Sequence, residues 1–292
     1  MSAELGNISP IIVVPGAWSE AELVYQARNV ASMVVHNASF NCAAGKLVVT
    51  AADWPQRGAF LAELRRILKE EAPPRKAYYP GAVERWKKLC DAYPQAEVLG
   101  RRPAPEVVPW TLISDLSPSE DELCYEMEPF CGVLSEVSIP GATAVDFLPA
   151  AVSFLNEKVW GTLCATILIH PATRRDSAQE QAFQESLDDL RYGSIVVNHW
   201  AGIGYGLMET TWGAHPGHPA ENIESGCGVV HNSFFFGATQ KSVIYGPFRA
   251  PLKLPWFYDH KRKAPVMESL LALEAEPSLL KLPPLVWHSL LA

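Results

Sequence analysis

Residues 9–50 run SPIIVVPGAWSEAELVYQARNVASMVVHNASFNCAAGKLVVT, and their reading decides the fold. The apolar run Ile11 to Val14 is short, β-branched and stopped by Pro15-Gly16, as a buried strand would be. Ser19 and Glu22 have the spacing of a capping box, in which hydroxyl and carboxylate each satisfy a backbone N–H left free at a helix start. Leu23, Ala27, Val30, Val34 and Val35 then recur close to the helical period, which predicts a helix to about His36. A loop of polar and small residues, Asn37 to Gly45, leads into a second strand, Lys46 to Thr50. Cys42 therefore falls at a helix-to-strand junction.

The same alternation continues outward. Asp53 and Pro55 start a helix with the stripe Phe60, Leu61, Leu64, Ile67 and Leu68, which must end before Pro73-Pro74. A shorter helix spans Val83 to Cys90. Residues 94–120, rich in proline and charge, read as a surface excursion holding a strand from Val107 to Ile113. Val133 to Ile139 is a strand, and Ala144 to Glu157 a helix with Pro149 expected in its first turn. Thr162 to Ile169 is a further strand. Asp176-Ser177 caps a helix from Ala178 to Arg191, closed by Gly193, before the strand Ser194 to Asn198. Residues 201–228 read as loop, Ser242 to Tyr245 as a short edge strand, and Met267 to Ala275 as a leucine-rich helix. Such alternation predicts an α/β open sheet with helices on its faces. Residues 1–223 form the expected main domain, 224–263 a C-terminal segment and 264–292 a tail.

With 48% apolar residues, the 292-residue chain has enough to build a packed core. Its 24 basic and 32 acidic side chains give a net charge of −8, so no general attraction to phosphate backbones exists and nucleic acid is not an expected partner. No apolar stretch approaches the roughly 20 residues of a membrane span, and MSAELGNISP lacks the basic and apolar regions of a secretory signal. A soluble, cytoplasmic protein without membrane partners is expected. Six cysteines, irregularly spaced and without a CxxC pair, point to reduced thiols rather than a disulfide framework or zinc.

Cys42 has no neighbouring cysteine. A free thiol at such a junction is either a nucleophile, if local amides favour the thiolate, or a small buried filler. His36, just before that loop, suits a Cys-His pair or, more simply, the end of an apolar helix face. His215 and His218 have a chelating spacing but no third ligand, so no metal is expected. Gly202-Ile203-Gly204-Tyr205-Gly206 follows a strand without a convincing helix behind it, and no strand is followed by a G-x-G-x-x-G or P-loop sequence. Lys261-Arg262-Lys263 is too short a run for nucleic-acid binding.

Five segments, in order, carry a resemblance. Glu4-Leu5-Gly6-Asn7-Ile8-Ser9-Pro10 resembles the Glu-Leu-Gly-Gly-Lys-Ser-Pro segment of the aldehyde dehydrogenase superfamily, and Asn37-x-Ser39-x-Asn41-Cys42 its Asn-x-Gly-Gln-x-Cys segment. Glu128-Pro129-Phe130-Cys131-Gly132-Val133 resembles its Glu-x-Phe-Gly-Pro-Val motif. Asn156, Trp160, Gly161 and Leu163, then Gly193 to Asn198, look like its Ala-Asn…Tyr-Gly-Leu and Gly-x-x-x-Val-Asn segments. Asn7, Ile8, Phe40, Cys131 and Gly132 depart from the pattern and mark a divergent branch. The resemblance covers roughly residues 4–250 and implies the catalytic and C-terminal half of a longer enzyme, with the dinucleotide-binding half largely absent. Ser225-Gly226-Cys227-Gly228 occupies the place of the family's late Ser-Gly-x-Gly turn, leaving Cys227 incidental.

The resemblance implies oxidation of a small-molecule aldehyde to a carboxylic acid with NAD or NADP. Cys42 would be the nucleophile, forming a thiohemiacetal and then a thioester, and Glu4 the base for the hydrolytic water. Glu128 would hold the nicotinamide ribose and Phe130 pack beside the ring. Glu4 is otherwise a frayed, solvated carboxylate three residues from the N-terminus. Homo-oligomers are implied, with Ser242 to Tyr245 extending a neighbour's sheet, or pairing with a dinucleotide-binding chain. The alternative is a non-catalytic or truncated subunit that keeps the fold and acts in assembly. The tail after Met267 is expected to cover part of the apolar surface that a half-enzyme exposes.

Overall fold

The computed structural model describes residues 2–291. β1 (Ala3–Glu4) precedes β2 (Pro10–Val13), α1 (Glu20–Val35) and β3 (Leu47–Ala51), the unit read from residues 9–50. Both arms of the capping box form: the Glu22 N–H donates to the Ser19 hydroxyl, and the Ser19 N–H donates to the Glu22 carboxylate at 2.8 Å. α2 (Arg57–Arg66) widens into a final turn at Ile67–Glu71 and stops before the prolines. There follow α3 (Ala82–Ala92), β4 (Glu97–Val98), β5 (Thr111–Leu116), α4 (Leu123–Glu126), β6 (Val133–Ile139) and α5 (Ala144–Lys158). Next come β7 (Cys164–Leu168), α6 (Ser177–Asp189), β8 (Ser194–Val197) and α7 (Gly202–Gly206). β9 (Gly226–Cys227), β10 (Ser242–Tyr245), α8 (Lys263–Ala275) and α9 (Leu282–Leu290) complete the chain.

Eight strands form one sheet in the order β10-β8-β7-β2-β3-β6-β5-β4, parallel except for β4. The connection from β2 to β3 moves one way across the sheet, and those from β6 to β7 and β7 to β8 move the other. Right-handed crossovers running in opposite directions put their helices on opposite faces. Accordingly α1 packs with α2, and α5 with α6. Covered on both sides, β2, β3, β7 and β8 are buried along their whole length, which is why they read as unbroken apolar runs.

Several elements differ from the sequence expectation. β5 starts at Thr111, because Pro109 has no N–H to give a ladder, and Val107 makes only an isolated bridge to Lys76. Pro149 sits in the second turn of α5, not the first. β10, by contrast, is the short edge strand expected, pairing in parallel with β8, Ser242 opposite Ser194 through Tyr245 opposite Val197. α8 packs on α9, yet only Val266 of α8 and no residue of α9 is buried. The tail leaves Leu271, Leu279, Leu280 and Trp287 exposed. No helix among the described residues is long and apolar enough to cross a membrane.

Candidate active site

The segments that lead into β2, β3 and β6 end side by side, because these strands are neighbours in the sheet. They carry Glu4, Cys42, Glu128 and Phe130. All four side chains line one cleft of about 520 Å³, together with Leu5, Gly6, Tyr79 and Arg85. The cleft lies at the amino-terminal ends of the parallel strands.

Glu4 is not frayed. Ala3 and Glu4 pair antiparallel with Cys227 and Gly226, and the Leu5 N–H donates to Ser225 O at 2.9 Å. Gly226 has φ +134°, and a Cβ there would lie 2.1 Å from Ala3 O, so glycine is required for β1 to dock. Cys227 thus has a structural neighbour in Ala3 and no place in the cleft.

The Cys42 loop is strained and heavily tied. Asn37, Ala38 and Ser39 are all left-handed, with φ of 50°, 56° and 69°. Such a run costs of order 1 kcal/mol or more per non-glycine residue and persists only where its surroundings impose it. The Asn37 amide donates to Phe40 O at 3.0 Å, the Tyr78 hydroxyl donates to Asn37 Oδ1 at 3.0 Å, and Asn41 Nδ2 lies 3.0 Å from His36 Nδ1. The Cys42 carbonyl accepts from the Ser9 hydroxyl at 2.6 Å. Among the described residues the Cys42 N–H has no partner, which leaves it free to hold a developing oxyanion.

Lys46 organises this loop, and the sequence reading took it only as the first residue of a strand. Its side chain is fully buried, and Nζ donates to the carbonyls of Asn41, Cys42 and Ala44 at 2.8, 3.2 and 3.2 Å. The fourth neighbour is Glu128 Oε1 at 3.1 Å, a charge contact without directed hydrogen-bond geometry, so Oε1 stays a buried acceptor short of a donor. The signal in the sequence was a lone charge between Gly45 and an apolar strand.

Glu128 lies against Gly6, where a Cβ would come within 1.9 Å of Oε2. Phe130 takes a left-handed φ of 39°, and its ring packs against Tyr79 and Phe40 at centroid distances of 4.8 and 5.7 Å. Arg85 fixes this segment, donating to Pro129 O at 2.8 Å and to Phe130 O at 3.0 Å.

Burial pushes the Cys42 thiol well above its usual range, the nearby Cys164 thiol and the Glu4 carboxylate add to the shift, and Lys46 opposes it. The sequence expectation that local amides favour thiolate is overturned: the resting sulfur is protonated, with the Glu4 carboxylate in the same cleft. His36 is drawn down to about 4 by burial, then by Lys263 and Arg75. Its ring packs on Trp200 at 4.5 Å and it pairs with Asn41, not with the thiol. His218 meets Thr162 Oγ1 at 2.9 Å, while His215 lies 3.0 Å from Pro216 O. Gly202–Gly206 forms a single helical turn, with Gly204 packed near Ser194 and Trp212.

No family model matches this chain, and no curated protein does. Solved structures do match in fold. An NAD-dependent aldehyde dehydrogenase from Sinorhizobium meliloti superposes with a TM-score of 0.60 at 21% identity, over 78% of this chain and 42% of that one. An NADP-dependent glyceraldehyde-3-phosphate dehydrogenase from Bacillus halodurans C-125, complexed with NADP, gives 0.59 at 19%, over 77% and 43%. A lactaldehyde dehydrogenase from Escherichia coli gives 0.58 at 18%, over 78% and 44%. The fold is thus that of part of an aldehyde dehydrogenase, and the chain spans less than half the length of these structures.

Proposed function

We propose that this chain is the catalytic portion of an aldehyde-oxidising enzyme, with Cys42 as nucleophile and Glu4 as proton acceptor. The observation that carries this reading is the convergence of Cys42, Glu4, Glu128 and Phe130, from three separate segments, on one cleft. As Cys42 Sγ bonds to an aldehyde carbon, its proton passes to the adjacent Glu4 carboxylate. The carbonyl oxygen becomes an oxyanion held by the free Cys42 N–H. Once the adduct has given up its hydride and become a thioester, Glu4 releases that first proton to solvent; it then takes a proton from the water that attacks the acyl carbon and passes it to the departing Cys42 sulfur as the acid leaves.

Glu128 and Phe130 fit the nicotinamide riboside end of NAD or NADP: a carboxylate with an acceptor to spare for ribose hydroxyls, and an aromatic ring for a flat heterocycle. Bound there, the cofactor would supply the hydride acceptor. This sequence offers no glycine-rich turn for the diphosphate, whose binding we assign to another segment or partner chain. A non-catalytic role in assembly is the second reading, favoured by the ion pair that already engages Glu128 with Lys46. The outer edge of β10 is the place where such an assembly would extend the sheet.

NADH or NADPH formation from a panel of small aldehydes, by the wild-type chain and by Cys42→Ala, decides between the two. Turnover that depends on Cys42 supports catalysis. Absence of turnover from a folded chain, even with a dinucleotide-binding partner added, supports the assembly role.

A further inference from the structure

A second cavity, of about 470 Å³, shares the 36–42 loop with the Cys42 cleft. Three cations line it, Arg75, Lys76 and Lys263, and the rings of Tyr78, Trp256 and Tyr258 form its walls. No carboxylate does. The nearest ones are engaged elsewhere: Glu71 with Arg28, Arg66 and the Tyr258 hydroxyl, and Asp259 with Arg28 and Lys253. Arg75, Lys76 and Lys263 have no ion pair among the described residues. In a chain of net charge −8, three like charges are gathered around one concavity. Burial first, and Arg75 second, pull the Lys263 ammonium below the usual lysine range.

The walls are built rather than loose. The Trp256 indole N–H donates to Asn29 Oδ1 at 3.2 Å, and the Tyr258 N–H donates to the Ser32 hydroxyl at 3.1 Å, so buried polar residues of α1 hold both rings. Asn37 and Asn41, from the strained loop, also line the cavity, their amides held by Phe40 O and His36. Cations set against flat apolar walls suit an anion that carries a flat body.

We propose that this cavity binds a small organic anion, a phosphate monoester or carboxylate attached to a flat group, and that the occupant holds the loop bearing Cys42. The site stands on its own geometry and does not depend on the dehydrogenase reading.

Titration calorimetry on the full chain tests it without turnover, using phenyl phosphate, benzoate and inorganic phosphate, with benzylammonium as the charge-reversed probe. Phenyl phosphate or benzoate should bind more tightly than inorganic phosphate, and benzylammonium should not bind. Which of the two organic anions binds better tells phosphate from carboxylate. Lys263→Gln and Arg75→Gln should each weaken binding about tenfold, the ratio that ~1.4 kcal/mol represents, and Lys263→Arg should retain it. Arg75→Gln and Lys76→Gln, at exposed positions, give the same test if the half-buried Lys263 substitution disturbs folding. Saturation should also change the alkylation rate of Cys42. No heat from either organic anion at millimolar concentration, or unchanged binding in Arg75→Gln/Lys263→Gln, overturns the site. An unaltered alkylation rate at saturation overturns the link to the loop.

Discussion

Replacing Lys46 with methionine keeps the aliphatic stem and removes only the ammonium. That ammonium has no solvent exposure, so nothing replaces it at Glu128 or at the carbonyls of Asn41 and Ala44; Cys42 O keeps its Ser9 hydroxyl. Removing one partner of a buried ion pair costs about 3–5 kcal/mol, because the remaining charge is left uncompensated. Glu128 retains 16% exposure, so the lower half of that range, about 3–4 kcal/mol, is expected. For a chain of this size roughly 2 °C of melting temperature accompanies each kcal/mol, which puts the fall at about 6–8 °C. Calorimetric melting of Lys46→Met, Glu128→Gln and the double variant measures it. The double variant should melt above the sum of the single losses, with a coupling of about 1 kcal/mol or more, since Glu128→Gln removes the stranded charge. Additive losses, or a fall of less than ~2 °C in Lys46→Met, would show that Lys46 does not organise the cleft.

The other expectations also concern the cleft and its loop. Gly6→Ala forces Glu128 away from a Cβ that would sit 1.9 Å from Oε2, so NAD(P)⁺ affinity should drop several-fold while the fold survives; equal affinity in a binding titration would remove Glu128 from the cofactor site. Cys42 is held protonated, and so are Cys164, raised to about 11, and Cys131, raised to about 12. Their unfolded thiols ionise near 8.5, so the stability they contribute is complete below that pH and is lost as pH rises beyond it. Melting temperature should therefore fall steadily from about pH 8.5 to 11, and a flat profile would contradict the burial of these thiols. His36 has the opposite sign. Its pKa is lowered to about 4, so its contribution is present above the unfolded value near 6.5 and lost as pH falls towards 4. His36→Gln should flatten the acid side of the stability curve, and an unchanged curve would count against a buried, neutral imidazole.

The strand–helix–strand unit was legible because three local signals agreed: a β-branched run ended by Pro15-Gly16, a capping box at Ser19 and Glu22, and a helical apolar period. Val133–Ile139 was also legible as a strand, though Ser135, Glu136 and Ser138 interrupt its aliphatic residues, and it is buried along almost its whole length. β1, β4 and β9 were not legible. Each has only two residues, and their pairing is decided by what lies opposite, such as a Gly226 that admits no side chain. The site split in the same way. Cys42, Glu4, Glu128 and Phe130 stood out through motif order, whereas Lys46 and Arg85 act through backbone carbonyls that only the fold brings within reach. The raised thiol was hidden for the same reason, since burial and the proximity of Cys164 and Glu4 are tertiary facts.

An activated ester tests the central claim most directly, because it acylates the nucleophile without any hydride acceptor. p-Nitrophenyl acetate should place one acetyl group on Cys42, visible by intact-protein and peptide mass spectrometry. Cys42→Ala should show none, and Glu4→Gln should acylate slowly and then retain the acetyl group, because both proton transfers run through Glu4. Acetylation spread over several side chains, or equal in Cys42→Ala, would contradict the account.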